Sequence, residues 1–411
     1  MPQEIYTHTF ANGLTLLAER MPFVRSASFN IMVPAGAAND PGEHAGLASI
    51  LTDMVTRGAG SRDNRELTDA LDRLGVDHSE STGVINLHFS GVALSRNLHD
   101  ALTIFADILR RPHLPEDELE AAQSLAMQDI QGLEDDPQGK VMVELTKRHY
   151  PEPLGRDRRG TPEGIASLSI DLLKQQHERL FHPKDMIVSV AGDIQWEPLK
   201  AHIEKNFGDW QAKERPALNI DDKRLGSGHI TKDLEQTQIA LAYPSVTIRD
   251  PDFYNARGAV SVLSQDMSSR LFTNIREKHG LCYAIYASHE SFKDRASVIA
   301  YSAAKPELAQ RTLDLLLHEL RVLKDGIEED ELDRVKVGLK ASLIMRQEST
   351  SARASGLTHD WYYLGRIRPL EELQSKIDGL TVKGILGYAE RHPPRDVTLV
   401  TLGPEPLTLA N

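Results

Sequence analysis

Asp185-Met186-Ile187-Val188-Ser189-Val190-Ala191-Gly192 returns near the end of the chain as Asp396-Val397-Thr398-Leu399-Val400-Thr401-Leu402-Gly403. Each copy reads as a short buried strand that stops at a glycine. A second echo keeps the same order. Pro115-Glu116-Asp117-Glu118-Leu119 and Glu328-Glu329-Asp330-Glu331-Leu332 each open a long helix, and the two echoes are 213 and 211 residues apart. Equal order at near-equal offset indicates duplication, hence two similar halves of about 200 residues each. Between them the chain turns polar and broken, through Lys213-Glu214-Arg215-Pro216, Asp221-Asp222-Lys223 and Gly226-Ser227-Gly228. That composition suits a linker. The expected organisation is therefore a domain over 1–212, a linker over 213–228 and a second domain over 229–411.

Outward from these strands, the order of elements favours α+β. Tyr6–Phe10 and Leu14–Ala18 flank Asn12-Gly13, a hairpin signal. Ser28–Val33 and Val84–Val92 read as further strands. Helices are expected over Glu43–Val55, from an Asp63 cap to Leu74 with a stop at Gly75, over Asn97–Leu109, and in one run from Pro115 to about Lys147. Strands and helices come in mixed order without repeating βαβ units, so each half is expected to be a mostly antiparallel sheet packed with helices.

Composition narrows the function. The 411 residues are 40% hydrophobic and 26% charged, with a mean hydropathy of −0.37. The net charge of −13 would repel a phosphate backbone, which argues against nucleic-acid binding. The single cysteine, Cys282, rules out an internal disulfide and a cysteine metal cluster, and suits a reducing compartment. The opening Met1-Pro2-Gln3-Glu4 has no secretory pattern, and no apolar run approaches the roughly 18 residues of a membrane span. A cytoplasmic chain without a membrane segment is expected.

The standard catalytic signatures are missing: no G-x-S-x-G elbow, no Walker loop, and neither H-E-x-x-H nor H-x-x-E-H among sixteen histidines. Two stretches stand out instead. In Leu47-Ala48-Ser49-Ile50-Leu51-Thr52-Asp53-Met54-Val55, the apolar spacing makes a buried helix, yet Ser49, Thr52 and Asp53 form a polar stripe along it. Burying an acid costs several kcal/mol unless it is paired, so Asp53 should line a cavity or meet a partner. The plain alternative is the wet edge of an amphipathic helix. In the second stretch, a helix runs to Lys278 or His279 and stops at Gly280 in a left-handed cap, and a strand starts at Leu281. The tight turn can bring Arg276 and Tyr283 together, two donors suited to a carbonyl oxygen that gains charge. The plain alternative is a helix-end arginine beside an ordinary strand tyrosine. Cys282 reads as a small core filler.

The chain resembles the insulinase/pitrilysin family of zinc peptidases, in the shorter form that includes processing peptidases and their bacterial relatives. The resemblance rests on Asn12-Gly13-Leu14, Gly46-Leu47-Ala48 followed by Gly58, Leu74-Gly75, Asp135-Asp136-Pro137, the duplication, Ser269-Arg270-Leu271-Phe272, Arg276 and Gly280-Leu281-Cys282-Tyr283. It implies that Ser49 and Asp53 stand where peptide-cleaving members carry the two histidines of H-x-x-E-H. Thr52 then replaces the general-base glutamate, and Asp129 stands for the third ligand. Such a set would hold zinc poorly, because zinc takes nitrogen, thiolate or carboxylate donors in a tetrahedral site and this one offers two hydroxyls. Arg276 and Tyr283 match the arginine and tyrosine that face the zinc across a cavity in active members, whereas Ser264-Gln265-Asp266 stands where close relatives often have glycines.

In heterodimeric members one subunit brings zinc and the other brings that pair. The resemblance thus implies a chain without its own metal, working beside a homologous H-x-x-E-H subunit that holds zinc. The substrate would be an unfolded peptide, held extended along a sheet edge of the zinc subunit. Two other readings stay open: a catalytically inactive scaffold, and an autonomous peptidase with calcium, magnesium or manganese on Asp53 and Asp129. A homodimer is equally compatible with a two-half chain.

Overall fold

The computed structural model describes residues 3–221 and 223–409. Of the expected linker, residue 222 lies outside the described residues, as do the first two and last two residues of the chain. Two compact units are built around two sheets.

The first sheet contains β1 (Glu4–Thr9), β2 (Thr15–Arg20), β3 (Ser26–Val33), β4 (Asp77–Thr82), β5 (Leu87–Leu94) and β6 (Ile187–Gly192), in the order β1-β2-β6-β3-β5-β4. The second contains β7 (Gly228–Thr231), β8 (Thr237–Ser245), β9 (Cys282–Ser291), β10 (Ala296–Ala304) and β11 (Thr398–Gly403), in the order β7-β11-β8-β10-β9. All pairs are antiparallel except β2 with β6 and β7 with β11. The fold is α+β, with each sheet mostly antiparallel and packed with helices.

The echoed strands occupy equivalent places. β6 lies parallel to β2 and antiparallel to β3, while β11 lies parallel to β7 and antiparallel to β8. Asp185 and Asp396, which precede them, both take positive φ, +63° and +51°. This uncommon backbone state at matched non-glycine positions carries the duplication down to single residues.

The compact units follow the two halves only in part. Residues 133–151 belong to the second unit and residues 346–367 to the first, so the units are not the contiguous stretches 1–212 and 229–411. The run expected as one helix from Pro115 to about Lys147 is broken. A helix over Leu119–Gly132 ends near Asp135-Asp136-Pro137, and a second, Pro137–His149, begins with Pro137 in its first turn and Asp136 as its cap. Val141 and Leu145 of that helix pack on Ala240, Ile299, Val400 and Leu402 of the second sheet.

In exchange, the helix Thr350–Leu364 packs on the first sheet through Leu357, against Leu17, Met32 and Ile187. Strands β6, β10 and β11 are buried at every residue, because these helices cover the sheet faces turned away from the main cores. The contact in the first unit is unusually polar. Glu19 accepts from Arg353 at 2.5 and 2.6 Å, Ser28 meets Thr350 at 2.7 Å, and Ser189 meets Thr358 at 2.5 Å, all buried.

The main core of the first unit joins Leu16, Phe29, Ile31 and Phe89 of the sheet to Leu47, Leu51 and Met54 of the polar-striped helix. That of the second joins Ile239, Leu241 and Val298 to Leu271, Ile275 and Leu313. Among the described residues, no helix is long and apolar enough to cross a membrane.

Candidate functional site

The helix Leu47–Met54 is fixed at its start by Asp40, whose carboxylate accepts from the N–H groups of Gly46 and Ala48 at 3.0 Å each. Burial pushes the Asp40 carboxyl up to about 7, against the downward pull of those two bonds. Gly46 takes φ +106°, and a Cβ there would come within 2.3 Å of Ile165 Cδ1, so the chain enters this helix only through a glycine.

The apolar face holds the helix against the core, which leaves Ser49, Thr52 and Asp53 on its other side, with Thr52 itself buried. With Asp129, Arg158, Arg159 and Glu80-Ser81-Thr82 of β4, they line a cavity of about 390 Å³. All four polar positions singled out in the sequence thus share one cavity. Each, however, has a different situation. Thr52 donates its hydroxyl to Ala48 O at 2.7 Å and accepts from Thr82 at 3.1 Å. Asp53 is gripped by Arg57, from Nε at 3.2 Å and from Nη2 at 2.9 Å, while Nη1 of the same guanidinium reaches Glu118 at 2.9 Å. Arg57 lies four residues beyond Asp53, a spacing readable on a helix, and was missed in the sequence. Glu80, Arg158 and Arg159 carried no sequence signal, since nothing local places them at this helix.

Zinc does not fit these residues. Two of the positions offer hydroxyls, one of them already donating to a carbonyl, and the Asp53 carboxylate is committed to a guanidinium. Among the described residues, no group of three or more His, Cys, Asp or Glu side chains is placed to hold a metal ion. No chemical step on this chain is assigned to a metal.

The second unit carries the other candidate pair. Arg270 is bidentate to Glu331, both bonds at 2.7 Å, and donates to Gly326 O at 2.7 Å, tying this segment to the helix Glu329–Gln347. Leu271 and Ile275 are fully buried. Between these anchors the expected α-helix is instead a π-helix, Phe272–Lys278, an uncommon winding found disproportionately at functional sites. Gly280 then takes φ +61°, as expected for the cap, and β9 follows.

The turn brings Arg276 and Tyr283 into contact, but stacked rather than side by side. The Arg276 guanidinium lies 4.3 Å from the Tyr283 ring centroid and 4.5 Å from that of Phe272. Among the described residues, the Arg276 side chain has no hydrogen bond or ion pair, so its N–H donors are unmatched. Tyr283 is 76% exposed. Cys282 is half-buried, and burial pushes its thiol up, against the opposing pull of Arg276. Phe272 was quoted in the sequence only as part of a motif, and its contact with Arg276 was not foreseen.

Comparison with known proteins covers nearly the whole chain. A family model described as insulinase (peptidase family M16) matches residues 15–162, and one described as peptidase M16 inactive domain matches residues 167–339. The word inactive there attaches to the matched stretch alone. A Bacillus subtilis protein described as an uncharacterized zinc protease is 28% identical, covering 97% of this chain and 98% of its own. A crystal structure from Pseudomonas fluorescens, described as a peptidase M16 inactive domain, superposes with a TM-score of 0.90 at 22% identity, over 99% of each chain. A Helicobacter pylori protease superposes with a TM-score of 0.87 at 20% identity, over 98% of this chain and 100% of its own.

Proposed function

Because the chain belongs to the insulinase (M16) family of peptidases, we propose that it is the subunit without zinc in a heterodimeric metallo-endopeptidase of the cytoplasm. The zinc would reside in a homologous H-x-x-E-H subunit, and Ser49, Thr52, Asp53 and Asp129 are the degenerate remains of the same site. One observation carries the reading: a guanidinium in contact with two aromatic rings, with its N–H donors left without a protein acceptor among the described residues. An arginine kept for structure would spend those donors on a carboxylate or carbonyl, as Arg270 and Arg57 do.

In this reading Arg276 and Tyr283 donate to the backbone carbonyl of an unfolded peptide and hold the oxyanion that forms as it is attacked. A donor fixed in advance binds the developing charge more tightly than the ground-state carbonyl, which is the condition for raising kcat. The experiment is Arg276→Ala and Tyr283→Phe in the complex reconstituted with the zinc-bearing subunit. Loss of one such donor is expected to lower kcat about 10²–10³-fold, with the assembly intact by native mass spectrometry. Unchanged rates in both variants would turn the reading over to the alternative, an inactive scaffold. The unsuitable donor set at Ser49, Thr52 and Asp53 favours that alternative equally well, whereas the unspent guanidinium does not.

A further inference from the structure

Arg276 and Tyr283 do not make the clamp alone. We propose that Phe272 is a positioning residue for Arg276, holding the guanidinium through the cation–π contact at 4.5 Å. The inference rests on the reading that Arg276 serves a reaction, and goes beyond it in naming what aims the arginine.

The argument starts from flexibility. A free arginine side chain carries about 2 kcal/mol of rotamer entropy, and a donor that wanders contributes little to a transition state. Salt bridging would fix it but would consume its N–H edges. Stacking fixes the plane through the faces and leaves every edge donor outward. Tyr283 cannot supply this by itself, because its ring is 76% exposed and has no hydrogen bond among the described residues. Phe272 can, because it is partly buried and adjoins Leu271, which is wholly buried like Ile275 further along the same π-helix. The better-anchored ring is therefore Phe272, and Tyr283 adds a second, exposed contact.

The repeat supplies an independent observation. In the first unit the helix Asn64–Leu74 ends at Gly75 with φ +62° and leads into β4, just as the π-helix ends at Gly280 with φ +61° and leads into β9. Counting from those glycines, Leu67, Leu71 and His78 stand where Phe272, Arg276 and Tyr283 stand. Leu67 and Leu71 are buried, an ordinary pair four residues apart on an α-helix. The second unit uses the same three positions for ring, cation and ring, and winds the intervening turn as a π-helix. Aromatic character at 272 is thus coupled to the cation at 276, since the copy without the cation has no ring at the matching place.

The test uses the full chain in complex with its zinc-bearing subunit and a quenched fluorescent unstructured peptide as substrate. Phe272→Leu is expected to lower kcat about tenfold, the scale of losing one well-packed cation–π contact, with KM little changed. Phe272→Tyr restores the ring and is expected to restore kcat. A second readout needs no activity. In the full chain alone, the Nε–Hε NMR signal of Arg276, assigned through Arg276→Lys, is expected to show a ring-current shift in the wild type and in Phe272→Tyr. In Phe272→Leu that shift is expected to fall to the part that the Tyr283 ring contributes, as measured against Tyr283→Leu.

Equal loss of rate in the Leu and Tyr variants overturns the proposal. So does a reduced shift with an unchanged kcat. If instead Arg276→Ala leaves the rate intact while the shift still depends on Phe272, the catalytic reading of Arg276 falls and takes this role with it. The stack itself would survive, so the two failures are told apart.

Discussion

His149 ends the helix that the first half lends to the second unit, and its environment makes that unit acid-sensitive. The ring is 3% exposed, with Nδ1 3.0 Å from the Thr398 hydroxyl and Nε2 2.7 Å from the Ser297 hydroxyl. A neutral imidazole satisfies both hydroxyls with one donor and one acceptor, whereas an imidazolium would place a charge in the core near Arg224. Burial first, and then the Arg224 charge, lower its pKa from 6.5 to about 4. The unfolded chain therefore binds a proton in this window that the folded chain refuses. Stability is complete above pH 6.5, falls as the pH drops, and levels off below about 4. At 1.36 kcal/mol per pH unit, the full effect is about 3 kcal/mol, of which about 2.5 kcal/mol is gone by pH 4.5.

The chain carries its own probes for this test. Its three tryptophans, Trp196, Trp210 and Trp361, all lie in the first unit, while its single cysteine, Cys282, lies in the second. Urea unfolding at pH 7 and pH 4.5 is followed by tryptophan fluorescence for one unit and by Cys282 labelling for the other, using a disulfide-exchange reagent active in acid. His149→Gln keeps one donor and one acceptor but cannot be protonated. Its second unit is expected to lose about 2.5 kcal/mol less than the wild type between the two pH values. The tryptophan signal is expected to keep its acid loss in both proteins, because buried His182, also lowered to about 4, lies in the first unit. An identical pH dependence of Cys282 labelling in wild type and variant refutes the argument, as does an NMR titration of His149 near 6.5.

Two further expectations follow from single contacts. Arg353→Ala leaves Glu19 buried without its cation and is expected to destabilise the first unit by about 3–5 kcal/mol, read by urea unfolding at Trp361. Glu19→Gln combined with Arg353→Met should recover most of that loss, and a single variant of wild-type stability would contradict a helix held by this pair. The purified chain is expected to carry zinc well below one equivalent by elemental analysis, with a melting temperature indifferent to chelator; one tightly held equivalent would contradict the unsuitability of the Ser49, Thr52 and Asp53 set.

Local chemistry was legible wherever it was self-contained. The Asp63 cap is a full capping box with Glu66, and Gly75 and Gly280 take the left-handed conformations their positions suggest. The proximity of Arg276 and Tyr283 follows from Gly280 alone. What escaped depended on distant partners. β4, Asp77-His78-Ser79-Glu80-Ser81-Thr82, has no apolar alternation because it is an edge strand with little core to face. The helix Thr350–Leu364 gives little hint of where it packs, since beside the small apolar contact at Leu357 it docks through hydroxyls and one ion pair. Asp136-Pro137 lies inside the run expected as one helix and breaks it. Pro137 can open a helix only at its first turn, which makes the break the place where the chain leaves its own half.

The polar stripe sits on a helix whose position does not depend on it. Helix position is set by the buried side, Leu47, Ile50, Leu51 and Met54, and by the Asp40 cap, none of which touches a metal. Residues of the stripe can therefore be exchanged without moving the helix that lines the cavity of about 390 Å³. The Arg276 slot is the opposite case. Its geometry is made by its own residues, because among the described residues the guanidinium is held by the Phe272 and Tyr283 rings and by no hydrogen bond or ion pair. Drift at Ser49, Thr52 and Asp53 costs the fold little, whereas drift at Phe272 or Tyr283 releases Arg276 directly. An arginine placed by ring contacts in one unit and a polar stripe carried by an independently packed helix in the other are the sense in which the two units have parted company.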